Sequence, residues 1–366
     1  MPEVVIVGGG IIGCATALYL AQGGASVTLL ERGGVAGEAS GAAAGMLAAL
    51  SDEGDHPAAF YDLNRQSLGL YETLLPKLAE TGVDLHHRRA DVLQLALTEP
   101  EAGALRRRFG ARAEPDGYWL EGADIHASEP QASPKAVAAY VMPDQQYVDP
   151  HRLTHALAEA AKRLGVLIET QAPVRRFRRA SGRVWGVETP RAIHEADAVL
   201  LAGGPWTVAL ARRLGACVPV RPVRGQMLAL QGPPRPLRNL IWGGAAYLVP
   251  RESGQTFVGA TVEDVGFRCR TTAKALRALR RGAEGLVPAL AYAEQLSAWA
   301  GLRPASPDGL PIMGPLPGWE NVWVSTGHFR NGILQAAASG ALVARSILAG
   351  RPEPELAPFD PGRFRD

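Results

Sequence analysis

Three groups of residues in this chain have types and spacings suited to chemistry. Near the N-terminus, "VVIVGGGIIG" sets Gly8, Gly10 and Gly13 in a G-x-G-x-x-G spacing, and Glu31 follows 18 residues after the last of them. Near the C-terminus, Arg303 stands in "AGLRPASPDGLPIMGP", an otherwise mostly apolar, turn-rich run. A guanidinium keeps its charge at any ordinary pH and is costly to bury unpaired, so Arg303 predicts an anionic partner. The third group, His328 and Arg330, opens an apolar helical stretch. Cations at the positive end of a helix dipole are unfavourable by roughly 0.3–1 kcal/mol, which again predicts an anion nearby.

The elements that must hold these residues can be read locally. The apolar strand before Gly8 bends at the glycines and continues as a helix with Ala15, Leu18 and Ala21 at helical spacing. Gly8 permits the tight turn, Gly10 lets a pyrophosphate approach the backbone, and Gly13 allows the helix to pack closely on the strand. The helix N-terminus then faces the phosphates. A second strand, "SVTLLE", ends at Glu31, whose carboxylate can accept from both ribose hydroxyls and would repel a 2′-phosphate. In "GEASGAAAGML", residues 37–47, small residues and Ser40 let the backbone approach a bulky planar ligand. No second glycine motif offers a nicotinamide its own domain, so FAD is expected as the sole dinucleotide.

Further along, Asp149 and Pro150 read as the cap and first position of a helix that ends at Gly165. Short strands follow, and "ADAVLLAGGPW" closes on Gly203-Gly204, at a strand's carboxyl end where open α/β sheets bind ligands. "NVWVSTGHFRNGIL" predicts a strand, a turn at Gly327 and a helix from about 331 to 349. "AAYLVP" and "TFVGATV" around "RESG" predict a hairpin in which Ala245, Tyr247 and Val249 share a face. Tyr247 is either a core aromatic or a pocket residue. The expected fold is α/β, a Rossmann-like FAD-binding domain built from residues 1–49, 146–216 and 301–366, with a β-sheet-based α+β substrate domain from 50–145 and 217–300.

Bulk composition narrows the function classes. At 366 residues, 47 % hydrophobic and 20 % charged, the chain has the composition of a globular protein of more than one core. Its net charge of +2 gives no global reason to bind nucleic acid. Three scattered cysteines predict neither a disulfide framework nor a zinc site, and no metal is expected from the eight histidines. No apolar run reaches the roughly 18 to 20 residues of a membrane span, and the chain enters a strand at once, so a cytoplasmic location is expected.

"VGGGIIG", "GEASGAAAGML", "GLRPASPDGLPIMG" and "TGHFRNGIL", in this order, resemble the D-amino acid oxidase superfamily of flavoproteins, most closely the bacterial glycine oxidases of thiamine biosynthesis. That resemblance implies a GR2-type Rossmann-like domain. It implies FAD contacts from Ile11, Ile12, Glu31, Arg32, Ala39, Ser40, Ala44, Gly45, Met46 and Val174, and from the run His328, Phe329, Arg330, Asn331, Gly332, Ile333 and Leu334. Arg303 would bind the substrate carboxylate, with Tyr247 and Arg330 lining the same pocket. Small residues at Ala245 and Val262 would admit substrates larger than glycine. The implied reaction converts glycine, a small D-amino acid or sarcosine to a 2-oxo acid and ammonia, with molecular oxygen giving hydrogen peroxide. Gly301 stands where covalently flavinylated relatives use cysteine, which implies non-covalent FAD. A dehydrogenase passing electrons from D-amino acids or D-proline to quinone stays open, as does a non-catalytic flavin-binding or tRNA-modifying protein. A homo-oligomer is compatible with all of these.

Overall fold

The glycine turn lies at the centre of a six-stranded sheet. In the computed structural model, which describes residues 1–48, 56–111, 117–233, 235–244 and 246–364, the sheet order is Ile312–Pro315, Val322–Thr326, Ala198–Leu201, Glu3–Val7, Ser26–Leu30 and Leu167–Glu169. All neighbours run parallel except the edge pair Ile312–Pro315 and Val322–Thr326. Strands buried on both faces need continuous apolar runs, and "VVIV" and "AVLL" supply them.

Helices cover this sheet. Ile11–Gln22 is buried along most of its length because Pro150–Arg163 and Gly332–Ala349 pack on it. Pro150–Arg163 begins as the sequence predicts, with Asp149 accepting from Arg152 N at 3.0 Å and proline in the first turn. Gly332–Ala349 is long and apolar enough to cross a membrane, contrary to the expectation from apolar runs, but 78 % of it is buried inside the protein, as in a core helix. Helix Ala58–Ala79 falls in a segment expected to belong with the second sheet, yet it packs on Gly332–Ala349. Ser67 Oγ donates to Leu334 O at 2.5 Å and accepts from Ala338 N at 3.1 Å, while Tyr71 OH donates to Ile333 O at 2.6 Å.

The second sheet is nine-stranded and mixed. Its path runs Gln295–Ala305, Arg221–Gln231, Gln255–Gly259, Ala246–Pro250, Leu240–Gly243, Arg88–Ala96, Ala138–Tyr147 and Met46–Leu47, with Tyr118–Glu121 paired to Ala138–Tyr147. The predicted hairpin forms between Ala246–Pro250 and Gln255–Gly259. A separate antiparallel sheet of Arg176–Ala180, Arg183–Glu188 and Ile193–Glu195 flanks the first.

Candidate active site

At the nucleotide end, each glycine of the motif has its own reason. Gly8 has φ +125°, and a Cβ there would fall 2.4 Å from Ala202 O on the neighbouring strand. A Cβ on Gly13 would lie 2.0 Å from Gly8 O, so the helix can approach the turn only without a side chain. Gly10 meets only Ser40 Oγ, at 3.2 Å, and faces the cavity. No side chain of the residue before the helix caps it, and Ile11 N donates to Ser40 Oγ at 2.9 Å. Glu31 braces the turn by accepting from Gly9 N and Gly33 N, both at 2.7 Å, one on each oxygen. Arg32 pairs with Glu38 and stacks 3.8 Å from the Trp206 ring centroid.

The predicted cofactor contacts converge on one cavity of about 800 Å³. Gly8, Gly10, Ile11, Ile12, Glu31, Arg32, Ala39, Ser40, Ala44, Gly45, Met46, Val174, Gly203 and Gly204 line it, as do residues 328–334. Gly13 does not; it packs behind the turn. The residues fit an FAD. Gly10 leaves the backbone open, the helix start presents amides, and Ser325 Oγ is buried at the cavity wall without a partner. The volume is near the top of the ~300–1,000 Å³ range of small-molecule sites, as a dinucleotide requires. Arg251, which sequence reasoning did not single out, is buried and donates to Val148 O at 2.9 Å and to Ala44 O, fixing the loop before Met46.

The same cavity continues to Arg303, which lies on a strand, not in the turn-rich run that the sequence suggests. Gln295–Ala305 pairs antiparallel with Arg221–Gln231, setting Arg303 opposite Val223 and Gly301 opposite Gly225. The strand is at the sheet's edge, where Pro304 is tolerated, and it faces Pro222, which also lacks an N–H. The Arg303 guanidinium lies flat over Gly225, where a Cβ would sit 2.4 Å from Cζ. Nη1 donates to Thr261 O at 2.9 Å. Among the described residues no acidic side chain pairs with Arg303. Burial holds its pKa below the ordinary value, the Tyr247 hydroxyl opposes this, and the Arg330 charge adds to it.

Tyr247 has a pocket role in this geometry. Its ring covers Gly259, where a Cβ would fall 2.3 Å from Cζ, and it stacks on Trp242 at 5.5 Å. Burial raises its pKa, with Arg303, Arg330 and Arg251 opposing, so the phenol stays protonated near neutral pH. Trp242 Nε1 in turn donates to Met46 Sδ at 3.3 Å, joining this wall to the predicted flavin loop. Phe329 N donates to Pro304 O at 2.9 Å, so the start of helix Gly332–Ala349 is tied to the Arg303 strand. Arg330 is exposed at the cavity rim, 5.3 Å from the Phe329 ring centroid. Val262 lines the cavity at 52 % exposure, while Ala245 lies outside the described residues.

One premise of the sequence argument is corrected. His328 is not a cation at the helix start: it is buried, its ring Nε2 lies 3.1 Å from Ser339 Oγ, and burial pushes its pKa down to about 3. A neutral imidazole explains its position without an anion. The consequence is measurable. The unfolded chain protonates this residue below its ordinary value of 6.5, whereas the folded protein resists until about 3. Stability therefore falls as pH drops through that window, by up to about 1.4 kcal/mol per pH unit. His328→Gln should flatten the loss of Tm between pH 6.5 and 4; parallel profiles for the two proteins would refute the assignment.

"HRLTH" does carry a His-x-x-x-His spacing, overlooked in expecting no metal pattern, and it brings the His151 and His155 rings to 4.5 Å. They gather no third ligand among the described residues; the three-ligand group found there is Asp84, His86 and Glu252, at the surface.

A glycine-turn dinucleotide site that opens into a pocket where, among the described residues, no acid pairs with the Arg303 guanidinium marks a flavin-type oxidoreductase. The chain belongs to the DAO family of FAD dependent oxidoreductases, whose model matches residues 3–346. It is 35 % identical over 364 residues to the glycine oxidase of Pseudomonas putida, covering 98 % of both chains. To the Bacillus subtilis glycine oxidase it is 33 % identical over 347 residues, 94 % of this chain and 93 % of the other. The crystal structure of glycine oxidase from Geobacillus kaustophilus superposes with a TM-score of 0.92 at 32 % identity, over 100 % of each chain.

Proposed function

We propose that the protein catalyses oxidative deamination of glycine and other small amino acids, D-amino acids and sarcosine included, to a 2-oxo acid, ammonia (methylamine from sarcosine) and hydrogen peroxide. The observation that carries this reading is Arg303, a half-buried guanidinium without an acidic partner among the described residues, facing the cavity that begins at the glycine turn. Its fork suits a carboxylate held bidentately. The likeness to proteins named glycine oxidases supports the amine as the reacting group.

FAD, when bound, supplies the acceptor for the hydride leaving the substrate Cα. Arg303 fixes the carboxylate and Tyr247 walls the pocket, which makes the approach of Cα effectively intramolecular. Gly8, Gly10, Ser40 and Glu31 would hold the pyrophosphate and ribose, and Ala44 to Met46 with residues 328–334 the ring system. Glu31, Glu38 and Glu101 are the acids along the cavity, and none pairs with Arg303. The amine is therefore expected to react in its neutral form without a carboxylate base beside it. We read residues 1–49, 146–216 and 301–366 as the FAD-binding domain and 50–145 with 217–300 as the substrate domain. The strand Gln295–Ala305 spans the boundary of this reading, so Arg303 would lie at the domain junction. Oxygen is the proposed acceptor and the cytoplasm the proposed location.

The test is direct. Glycine, sarcosine or D-alanine added without oxygen should bleach the visible flavin absorbance, and air should restore it with one peroxide formed per amino acid consumed. Bleaching that only a quinone reverses would replace the oxidase by a dehydrogenase. No bleaching by any of them would end the amino acid reading.

A further inference from the structure

Behind the floor of the Arg303 pocket lies a partly buried polar cluster that the proposed reaction does not use. Gly225 presents a flat backbone to the Arg303 guanidinium, and its neighbours Arg224 and Gln226 point to the other face of the sheet by strand alternation. Arg224 is 6 % exposed and Gln226 fully buried. Both converge on Glu263. Arg224 grips it with two parallel bonds, Nε to Oε2 at 3.0 Å and Nη2 to Oε1 at 3.1 Å, and Gln226 Nε2 donates to Oε2 at 2.6 Å. The backbones agree, since Arg224 N donates to Glu263 O at 2.9 Å and Glu263 N to Arg224 O at 3.0 Å.

Thr261 connects the cluster to the pocket. Its hydroxyl donates to Glu263 Oε2 at 2.8 Å and accepts from Gln226 N at 2.9 Å, on the rear side. Its carbonyl accepts from Arg303 Nη1 at 2.9 Å, on the pocket side. One residue is thus held from behind by an acid and holds the guanidinium in front.

We propose that Glu263 is a positioning residue for substrate carboxylate binding. Through Thr261 it fixes one edge of the Arg303 fork, leaving the remaining N–H groups for the carboxylate. Arg224 has a second part in this. Glu263 is only two residues from the Arg303 acceptor, and an acid there with no partner of its own would compete with the substrate for the guanidinium. The bidentate pair with Arg224 occupies it, as its low pKa of about 2 reflects, with Arg224 as the main cause. Arg303 stays available to a ligand because Glu263 is satisfied elsewhere. This inference rests on Arg303 being the carboxylate site.

The test uses the purified holoenzyme with glycolate, an amine-free analogue of glycine, titrated by calorimetry, alongside glycine kinetics. Glu263→Ala should weaken glycolate binding and raise KM by about tenfold or more, with kcat altered less than about threefold, since ground-state and transition-state binding are lost together. Arg224→Met should raise KM further, and Arg224→Met/Glu263→Gln should recover part of it, because removing the freed charge removes the competitor. A role confined to folding predicts no such recovery. If Glu263→Ala binds glycolate like the parent while Arg303→Ala does not, or if the double variant is no better than Arg224→Met, the proposal is wrong and the carboxylate site stands. If Arg303→Ala also binds glycolate normally, the carboxylate site itself falls, and this inference with it.

Discussion

Arg303→Ala should raise the KM for glycine by roughly 30- to 4,000-fold while the protein keeps its flavin. Truncating one member of a buried, hydrogen-bonded charge pair costs about 2–5 kcal/mol, and every 1.4 kcal/mol is tenfold. The flavin should stay because the guanidinium bonds to Thr261 O and lies over Gly225 of the nine-stranded sheet, whereas the glycine turn belongs to the six-stranded one. Steady-state kinetics with glycine, read against flavin content by absorbance, checks both halves. An unchanged KM would refute the carboxylate role; loss of flavin would instead place Arg303 among the cofactor's supports. Arg303→Lys should fall between parent and alanine, because an ammonium keeps the charge but cannot make two parallel bonds to a carboxylate.

The effect is expected to be large because the site is prepared for this one group. Gly225 and Gly259 are both flattened, so that Arg303 and Tyr247 can lie across the sheet, and either Cβ would displace them. Neither glycine is evident in the sequence as a site residue. Each matters only through a partner on another strand, and strand register is a long-range property that one sequence does not display.

The same distinction separates what was legible from what was not. The glycine turn, the Asp149 cap and the hairpin are each encoded within a short stretch of chain, and each forms as the sequence predicts. Arg303 stands out in the sequence as a cation without a local acidic partner, but the prolines and glycines around it read as turns. Only the ladder with Arg221–Gln231 shows that a strand passes through it. His328 was misjudged because its charge depends on burial by the surrounding core, which local pattern does not report. The packing of helix Ala58–Ala79 on Gly332–Ala349 is hidden from the sequence for a similar reason. Nothing in the local sequence of the helix says that Ser67 and Tyr71 will bond to residues more than 260 positions away.

Gly13→Val should yield a colourless protein. The helix that follows the glycine turn is useful to a pyrophosphate only if its first amides stand directly over the end of the strand, and Gly13 is where that distance is set. A Cβ at this position would lie 2.0 Å from Gly8 O, a backbone atom that cannot rotate aside. Contacts of this kind are not found below 3.0 Å, so the helix start must withdraw by about 1 Å. Gly8 cannot yield in compensation, because its N donates to Leu30 O at 2.9 Å and the preceding Val7 O accepts from Ala202 N at 2.9 Å, which tie the turn to both neighbouring strands. A withdrawal of this size turns hydrogen bonds of about 2.9 Å into contacts near 3.9 Å, beyond the range in which an N–H⋯O bond holds. Several such bonds and the helix dipole act on the phosphates together, so their loss should weaken FAD binding by orders of magnitude. Titrating purified apoprotein with FAD by fluorescence quenching, with circular dichroism to verify that the helices persist, separates loss of the cofactor from loss of the fold. Retention of parent-like affinity in a folded Gly13→Val protein would show that the helix start does not bind the dinucleotide.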